Sequence, residues 1–192
     1  MRLVKSKIAH GILAILLTQM VAADSWTPPG GERQVPVWPP HSPVLAGGIR
    51  KLEDKEILAG KPTTNVSNPT FTIYSPKSNP SGTCILVFPG GGHLTLAMGL
   101  EGTEIAGWLT RAGITCVLVK YRVPYSGCYY DSKQDRHVTP KVPMALQDAQ
   151  RTISIIRAHA KDYHIDPHKI GVMGFSAGGN VAVLASTTRS RG

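Results

Sequence analysis

Three cysteines, no run of five or six like charges and no His or Cys residues at metal-ligand spacing remove several classes of protein at once. An odd, small cysteine count in a chain of 192 residues does not make a disulfide-built scaffold, and no metal site is expected. Lys and Arg number 21 against 12 Asp and Glu, but they are spread along the chain without a nucleic-acid module. The excess reads as solvated surface charge, so no nucleic-acid partner is expected, and anionic polymers are at most weak ones. The dinucleotide spacing Gly-x-Gly-x-x-Gly and the Lys-Ser/Thr of a phosphate-binding loop are both missing, and no cofactor is expected. The absence with most consequence stands at the end: after Ser176, the stretch "AGGNVAVLASTTRSRG" holds no Asp, Glu or His.

What is present is ordinary for a folded chain, with 42% hydrophobic residues and length for one core. The start, "MRLVKSKIAHGILAILLTQMVAADSW", places Arg2, Lys5 and Lys7 before an apolar stretch that closes on Val21, Ala22 and Ala23. That is the layout of a secretory signal peptide. Residues 1–23 are therefore expected to be cleaved, leaving residues 24–192 as a secreted or periplasmic domain without stable membrane association. The apolar run is interrupted by Thr18 and Gln19 and is short for a membrane span. Removing its three basic residues lowers the formal charge from +9 to +6. Cys84 and Cys116 sit in apolar strand-like runs and are expected to be buried thiols, a disulfide between them being the less favoured alternative. Cys128 falls in a loop.

Residues 24–43 are dense in proline and glycine and predict an extended lead, since neither residue sustains a helix or a central strand. Alternation around Phe71, Ile73 and Tyr74 predicts a strand closed by Pro76. "TCILVFPGGGH" and "GITCVLVKYRVP" are short apolar runs ended by Pro89 and Pro124, the pattern of strands buried on both faces. Between them, Ile105, Trp108 and Leu109 predict a crossover helix over 101–112. A long loop follows Pro124. Leu146, Ala149, Ile153, Ile156 and Ala160 then mark an amphipathic helix from Pro143 to about Tyr163. "HIDPHKIGVMGF" supplies a turn and another strand, and a small-residue helix follows Ser176. Strand and helix in alternation imply an α/β domain with a parallel sheet and right-handed crossovers.

In "GFSAG", Gly174 and Gly178 flank Ser176 between a convincing strand and a convincing helix, the context that a nucleophile elbow requires. Ser176 is the expected catalytic nucleophile. It stands at a helix start, where free N–H groups favour developing negative charge, and the Ala177 N–H is one expected oxyanion donor. The second is expected from the loop after the strand preceding the first crossover helix, where Gly91 and Gly92 of "PGGGH" can present bare N–H groups. His93 is expected at a pocket wall or facing solvent.

Together, "VPVWPPHSP", "VFPGGGH", "EGTEIAGWL", "VKYRVP", "PMALQDAQRTISIIR" and "IDPHKIGVMGFSAGGNVA" resemble the bacterial α/β-hydrolase-fold serine esterases of the acetylxylan esterase type. The resemblance runs from about Val35 to Ser186. It implies an α/β-hydrolase fold, a mostly parallel sheet with helices on both faces, and hydrolysis of acyl groups, acetyl among them, on a polysaccharide such as xylan or on a small ester. It also puts the loop with Tyr125, Tyr129 and Tyr130 near the strands' C-terminal edge, where a sugar could stack.

The triad is the departure. In this fold the acid and the histidine follow the serine, so the sequence is expected to be a shortened or frame-shifted version of a longer esterase, lacking its C-terminal strands, its triad Asp and His, and most of its activity. Upstream His41, His137, His159, His164, His168, Asp148 and Asp166 are available; Asp148 and His159 are expected to be solvent-facing or capping groups. Two other functions stay open: a peptidase or dienelactone-type hydrolase on the same fold, and a non-catalytic remnant that binds carbohydrate or a partner.

Overall fold

The computed structural model describes residues 25–46, 63–123, 129–138 and 143–188. The expected leader, Tyr125 and Cys128 lie outside these residues, and of Tyr129, Tyr130 and His137 only the backbone is described. No helix among the described residues is long and apolar enough to cross a membrane.

The apolar runs form the centre of one sheet. Strand β1 (Gln34–Pro36) pairs with β2 (Thr70–Tyr74), followed in chain order by β3 (Cys84–Phe88), β4 (Thr115–Lys120) and, after the long loop, β7 (Ile170–Gly174). The spatial order is β1-β2-β4-β3-β7. Every residue of β4 is buried, as a strand covered on both faces must be. β3 runs parallel to β4, with Ile85 opposite Cys116, and parallel to β7, with Phe88 opposite Gly174.

Only half of the pairings are parallel, fewer than the sequence leads one to expect. β2 is antiparallel to β4, and β1 is antiparallel to β2. The cause is local: β2 passes to β3 through the "NPSG" turn without a helix, so the chain comes back in the opposite direction. The proline-rich lead contributes more than extended chain. Its β1 forms the sheet edge, with Val37 N–H bonded to Pro69 O at 3.0 Å, and one helical turn, α1 (Pro43–Ala46), follows. Proline is tolerated at both places, an edge strand and the first turn of a helix. The long loop carries a hairpin, β5 (Tyr129–Asp131) with β6 (Arg136–Val138).

A π-helical turn (Gly99–Thr103) leads into α2 (Glu104–Arg111); α3 (Pro143–Ala158) and α4 (Ala177–Thr187) complete the helices. α3 ends sooner than the periodicity predicts, the chain turning after it through His164 at φ 56°. From β3 the chain crosses through α2 to β4 on one side, and from β4 it crosses through α3 to β7 on the other. Right-handed crossovers in opposite directions put α2 and α3 on opposite faces, and α4 packs beside α3. The loops leaving the adjacent strands β3 and β7 therefore part toward opposite faces, opening a crevice at their C-terminal ends.

Asp148 is not solvent-facing. It is fully buried, and its carboxylate accepts from the Arg122 guanidinium at 2.8 to 3.1 Å, the Arg122 backbone N–H at 3.0 Å and Trp38 Nε1 at 2.7 Å. Arg122 also donates to the carbonyls of Val44 and Met144. Burial pushes the Asp148 carboxyl upward, and these donors pull it back. The cluster ties the N-terminal lead, the end of β4 and α3 together. Cys84 and Cys116 are buried free thiols, and burial pushes that of Cys84 up to about 12.

Candidate active site

β7 ends at Gly174, and Phe175 N–H still reaches Phe88 O at 3.2 Å, so the two chains leave the sheet side by side. The next residue turns sharply. Ser176 has φ 48° and ψ −116°, a conformation that costs a residue with a side chain on the order of 1–3 kcal/mol. It is solvent-exposed while Ala177 and Gly178 behind it are buried, and its hydroxyl meets no partner among the described residues. The helix begins at once: Gly178 N–H bonds to Phe175 O at 2.7 Å and Asn180 N–H to Ser176 O at 3.1 Å. The flanking glycines are steric necessities. A Cβ at Gly174 would overlap the Gly178 carbonyl, and one at Gly178 would overlap the carbonyl oxygens of Phe88 and Pro89.

Those contacts bring the second loop to the first. Where a Gly90 Cβ would stand, Ser176 Cβ is 3.1 Å away and the Phe175 carbonyl is closer still. The carbonyls of Gly90 and Gly91 are engaged. Gly90 O accepts Ala97 N–H at 3.0 Å, and Gly91 O accepts Leu94 N–H and Thr95 N–H, both at 3.0 Å. The strands of the loop are pinned outward as well, through the paired backbones of Thr63 and Leu96. In contrast, the N–H groups of Gly91, Gly92 and His93 meet no acceptor among the described residues, and neither does that of Ala177. Gly91 and Gly92 have φ 140° and 64°, which only glycine takes without strain. The structure thus brings Gly90 against Ser176, with the amides of Ala177 and of the next two loop residues, Gly91 and Gly92, uncommitted among the described residues. Such donors, held in place beforehand, are what a developing oxyanion needs.

His93 is neither solvent-facing nor hydrogen-bonded. It is 2% exposed, and both ring nitrogens lack a partner among the described residues. Burial lowers its basicity and favours the neutral ring. The other histidines fall elsewhere. His159 pairs with Asp162 at 3.1 Å, and His164, His168 and Asp166 lie in the turns that enter β7, at the opposite end of the strand from Ser176. Asp166 bonds there to Gly82, just before β3. His41 is exposed in the lead. No group of three or more His, Cys, Asp or Glu is gathered among the described residues.

Two residues at the crevice escaped the sequence reading. Glu101, on the π-helical turn, accepts Gly90 N–H at 2.7 Å, and Tyr121, just past β4, donates its hydroxyl to Pro89 O at 2.6 Å. Burial, with the Glu101 charge adding to it, raises the Tyr121 phenol and keeps it a donor. The signal available was slight: an acidic residue in a glycine-containing turn, and a tyrosine continuing an apolar strand.

A family model described as BD-FAE matches residues 73–191. The chain is 37% identical over 109 residues to the acetylxylan esterase of Xylanibacter ruminicola, an alignment covering 57% of this chain and 20% of that protein. It is similar to the acetyl ester-xyloside bifunctional hydrolase from Caldicellulosiruptor lactoaceticus, with TM-score 0.54 and 31% identity over 80% of this chain and 46% of that one. An alpha/beta hydrolase enzyme from a Medee basin deep-sea metagenome library gives TM-score 0.50 and 28% identity over 62% of this chain and 46% of its own. The chain spans a fifth of the curated relative's length and less than half of either solved structure. These likenesses assign its sheet and helices to a partial α/β-hydrolase fold.

Proposed function

The chain belongs to the BD-FAE family, and from that premise we propose that it carries the nucleophile and oxyanion hole of a serine carboxylesterase removing acetyl groups from a polysaccharide such as xylan. One observation carries the reading: an exposed serine at positive φ, set between β7 and α4, beside a loop in which the amides of Gly91 and Gly92 have no acceptor among the described residues. The substrate class is supported by the acetylxylan esterase and the acetyl ester-xyloside hydrolase to which the chain is similar.

In this mechanism Ser176 Oγ adds to the ester carbonyl carbon while its proton passes to a histidine base. The carbonyl oxygen, now negative, is held by the N–H groups of Gly91, Gly92 and Ala177. Collapse breaks the bond to the sugar oxygen, which leaves with the proton from the histidine. Water then cleaves the acyl-serine by the same route, releasing the carboxylate. Of the described histidine side chains, that of His159 pairs with Asp162, that of His93 is buried without a partner, those of His164 and His168 lie at the far end of β7, and that of His41 is exposed in the lead. The reading assigns the base and its acid to residues outside those described. Action outside the cytoplasm belongs to the same proposal, on the leader-like residues 1–23.

Fluorophosphonate labelling tests the nucleophile. The chain is expected to be modified at Ser176, and Ser176→Ala to lose the label, as loss of the serine costs on the order of 10⁶ in this chemistry. Label at another residue would remove the reading, and a folded sample that takes none would mean that no base stands within reach of Ser176.

A further inference from the structure

The Pro89–Gly90 peptide unit is gripped at both of its polar atoms. Its carbonyl oxygen accepts the Tyr121 hydroxyl at 2.6 Å and its N–H donates to Glu101 Oε2 at 2.7 Å. The grips come from outside the glycine stretch, one from the residue after β4 and one from the turn that precedes α2. A peptide is planar and trans, so fixing both atoms fixes the whole plane. The next two planes are held through their carbonyls, Gly90 O by Ala97 N–H and Gly91 O by Leu94 and Thr95 N–H. Each clamped carbonyl aims the N–H of the following residue the opposite way. These are the free amides of Gly91 and Gly92. The first plane of the series is therefore set by side chains, and the others by the loop that springs from it.

Glu101 is also close to the serine. The position a Gly90 Cβ would take lies 2.9 Å from Glu101 Oε2 and 3.1 Å from Ser176 Cβ, which bounds the separation of carboxylate and Ser176 Cβ at 6.0 Å. A negative charge there opposes a developing oxyanion. Charge alone would argue against a carboxylate; a short charge-assisted bond to a backbone N–H argues for one.

We propose that Glu101 is a positioning residue of the oxyanion hole, its carboxylate fixing the Pro89–Gly90 plane from which the amides of Gly91 and Gly92 are aimed beside Ser176. This rests on the reading of those amides as oxyanion donors, and the two ideas fail differently. Glutamine can still accept the Gly90 N–H, and alanine cannot. Positioning thus predicts that Glu101→Gln labels with fluorophosphonate within about threefold of the unsubstituted chain. Glu101→Ala is expected to label roughly 10- to 100-fold more slowly, the scale of a misplaced catalytic group. In ¹H–¹⁵N spectra of the same full chains, the Gly91 and Gly92 amide resonances should shift in Glu101→Ala and hold in Glu101→Gln. An effect of charge alone would instead speed both variants and overturn the proposal, as would Glu101→Ala with unmoved amides. Should Glu101→Ala not fold, Tyr121→Phe frees the other atom of the same plane. Unmoved Gly91 and Gly92 amides in Tyr121→Phe would then overturn the proposal, and shifted ones support it. If the unsubstituted chain takes no label, no base stands within reach of Ser176, and the amide comparison still decides the role of Glu101.

Discussion

Two polar regions of this molecule treat their hydrogen-bonding capacity in opposite ways. Around Asp148, a buried carboxylate, a guanidinium, an indole and two carbonyls are matched to one another. Around Ser176, the hydroxyl, the amides of Gly91, Gly92 and Ala177, and the ring of His93 are left without partners among the described residues. Buried polar groups are nearly always satisfied when their task is to hold a fold. Groups held rigid and unsatisfied are placed for something that arrives. The first region stitches the lead to β4 and α3, and the second stands in the crevice where the loops of β3 and β7 part. The same kinds of atoms thus hold the fold in one place and stand free in the other.

Breaking the satisfied region should cost most. Asp148→Ala leaves Arg122 buried without its counter-ion, and the expected loss is about 3–5 kcal/mol of unfolding free energy, read by urea denaturation. A loss below about 1 kcal/mol would mean that the network is incidental and the contrast false. The unsatisfied region should answer to pH. Burial depresses the His93 pKa in the folded protein, so below about pH 6.5 the unfolded chain takes up a proton that the folded one refuses. Stability should then fall as pH drops from about 6.5 toward the folded value, by up to about 1.4 kcal/mol per unit. His93→Phe should flatten that part of the thermal-melting profile; an unchanged slope would show that His93 finds a proton acceptor when charged. The smallest effect is expected at the rim of the network. Trp38→Phe removes one of several bonds to Asp148 and should cost about 1 kcal/mol by the same denaturation measurement. A cost as large as that of Asp148→Ala would show that the indole, and not the ion pair, secures the lead.

Much of this was legible from the residues because it is local. Continuous apolar runs gave β3, β4 and β7, and the strand-turn-helix context of "GFSAG" gave the elbow, because backbone sterics write both into neighbouring positions. What escaped depends on partners far apart in the chain. Asp148 looked like one more polar residue on an amphipathic helix, since its partners Arg122 and Trp38 lie 26 and 110 residues away. Glu101 gave no sign of its bond to Gly90 because the π-helical turn that carries it has no periodicity of its own. The alternation of β2 was legible but its antiparallel pairing was not, and β1 was hidden by the prolines around it, which forbid a central strand and permit an edge. A base for the proposed nucleophile was not legible in the sequence, and no described histidine is bonded to Ser176.

The backbone of Ser176 has a consequence for how such a chain could change. Glycine would occupy φ 48°, ψ −116° at ease, so every exchange toward glycine at this one position relaxes the fold while discarding the hydroxyl. Screens that reward only robustness, such as heat challenge or expression yield, would drift toward that inert variant. A screen that retains serine there is selecting for use, and the turn at residue 176 works as a gauge of which pressure is acting.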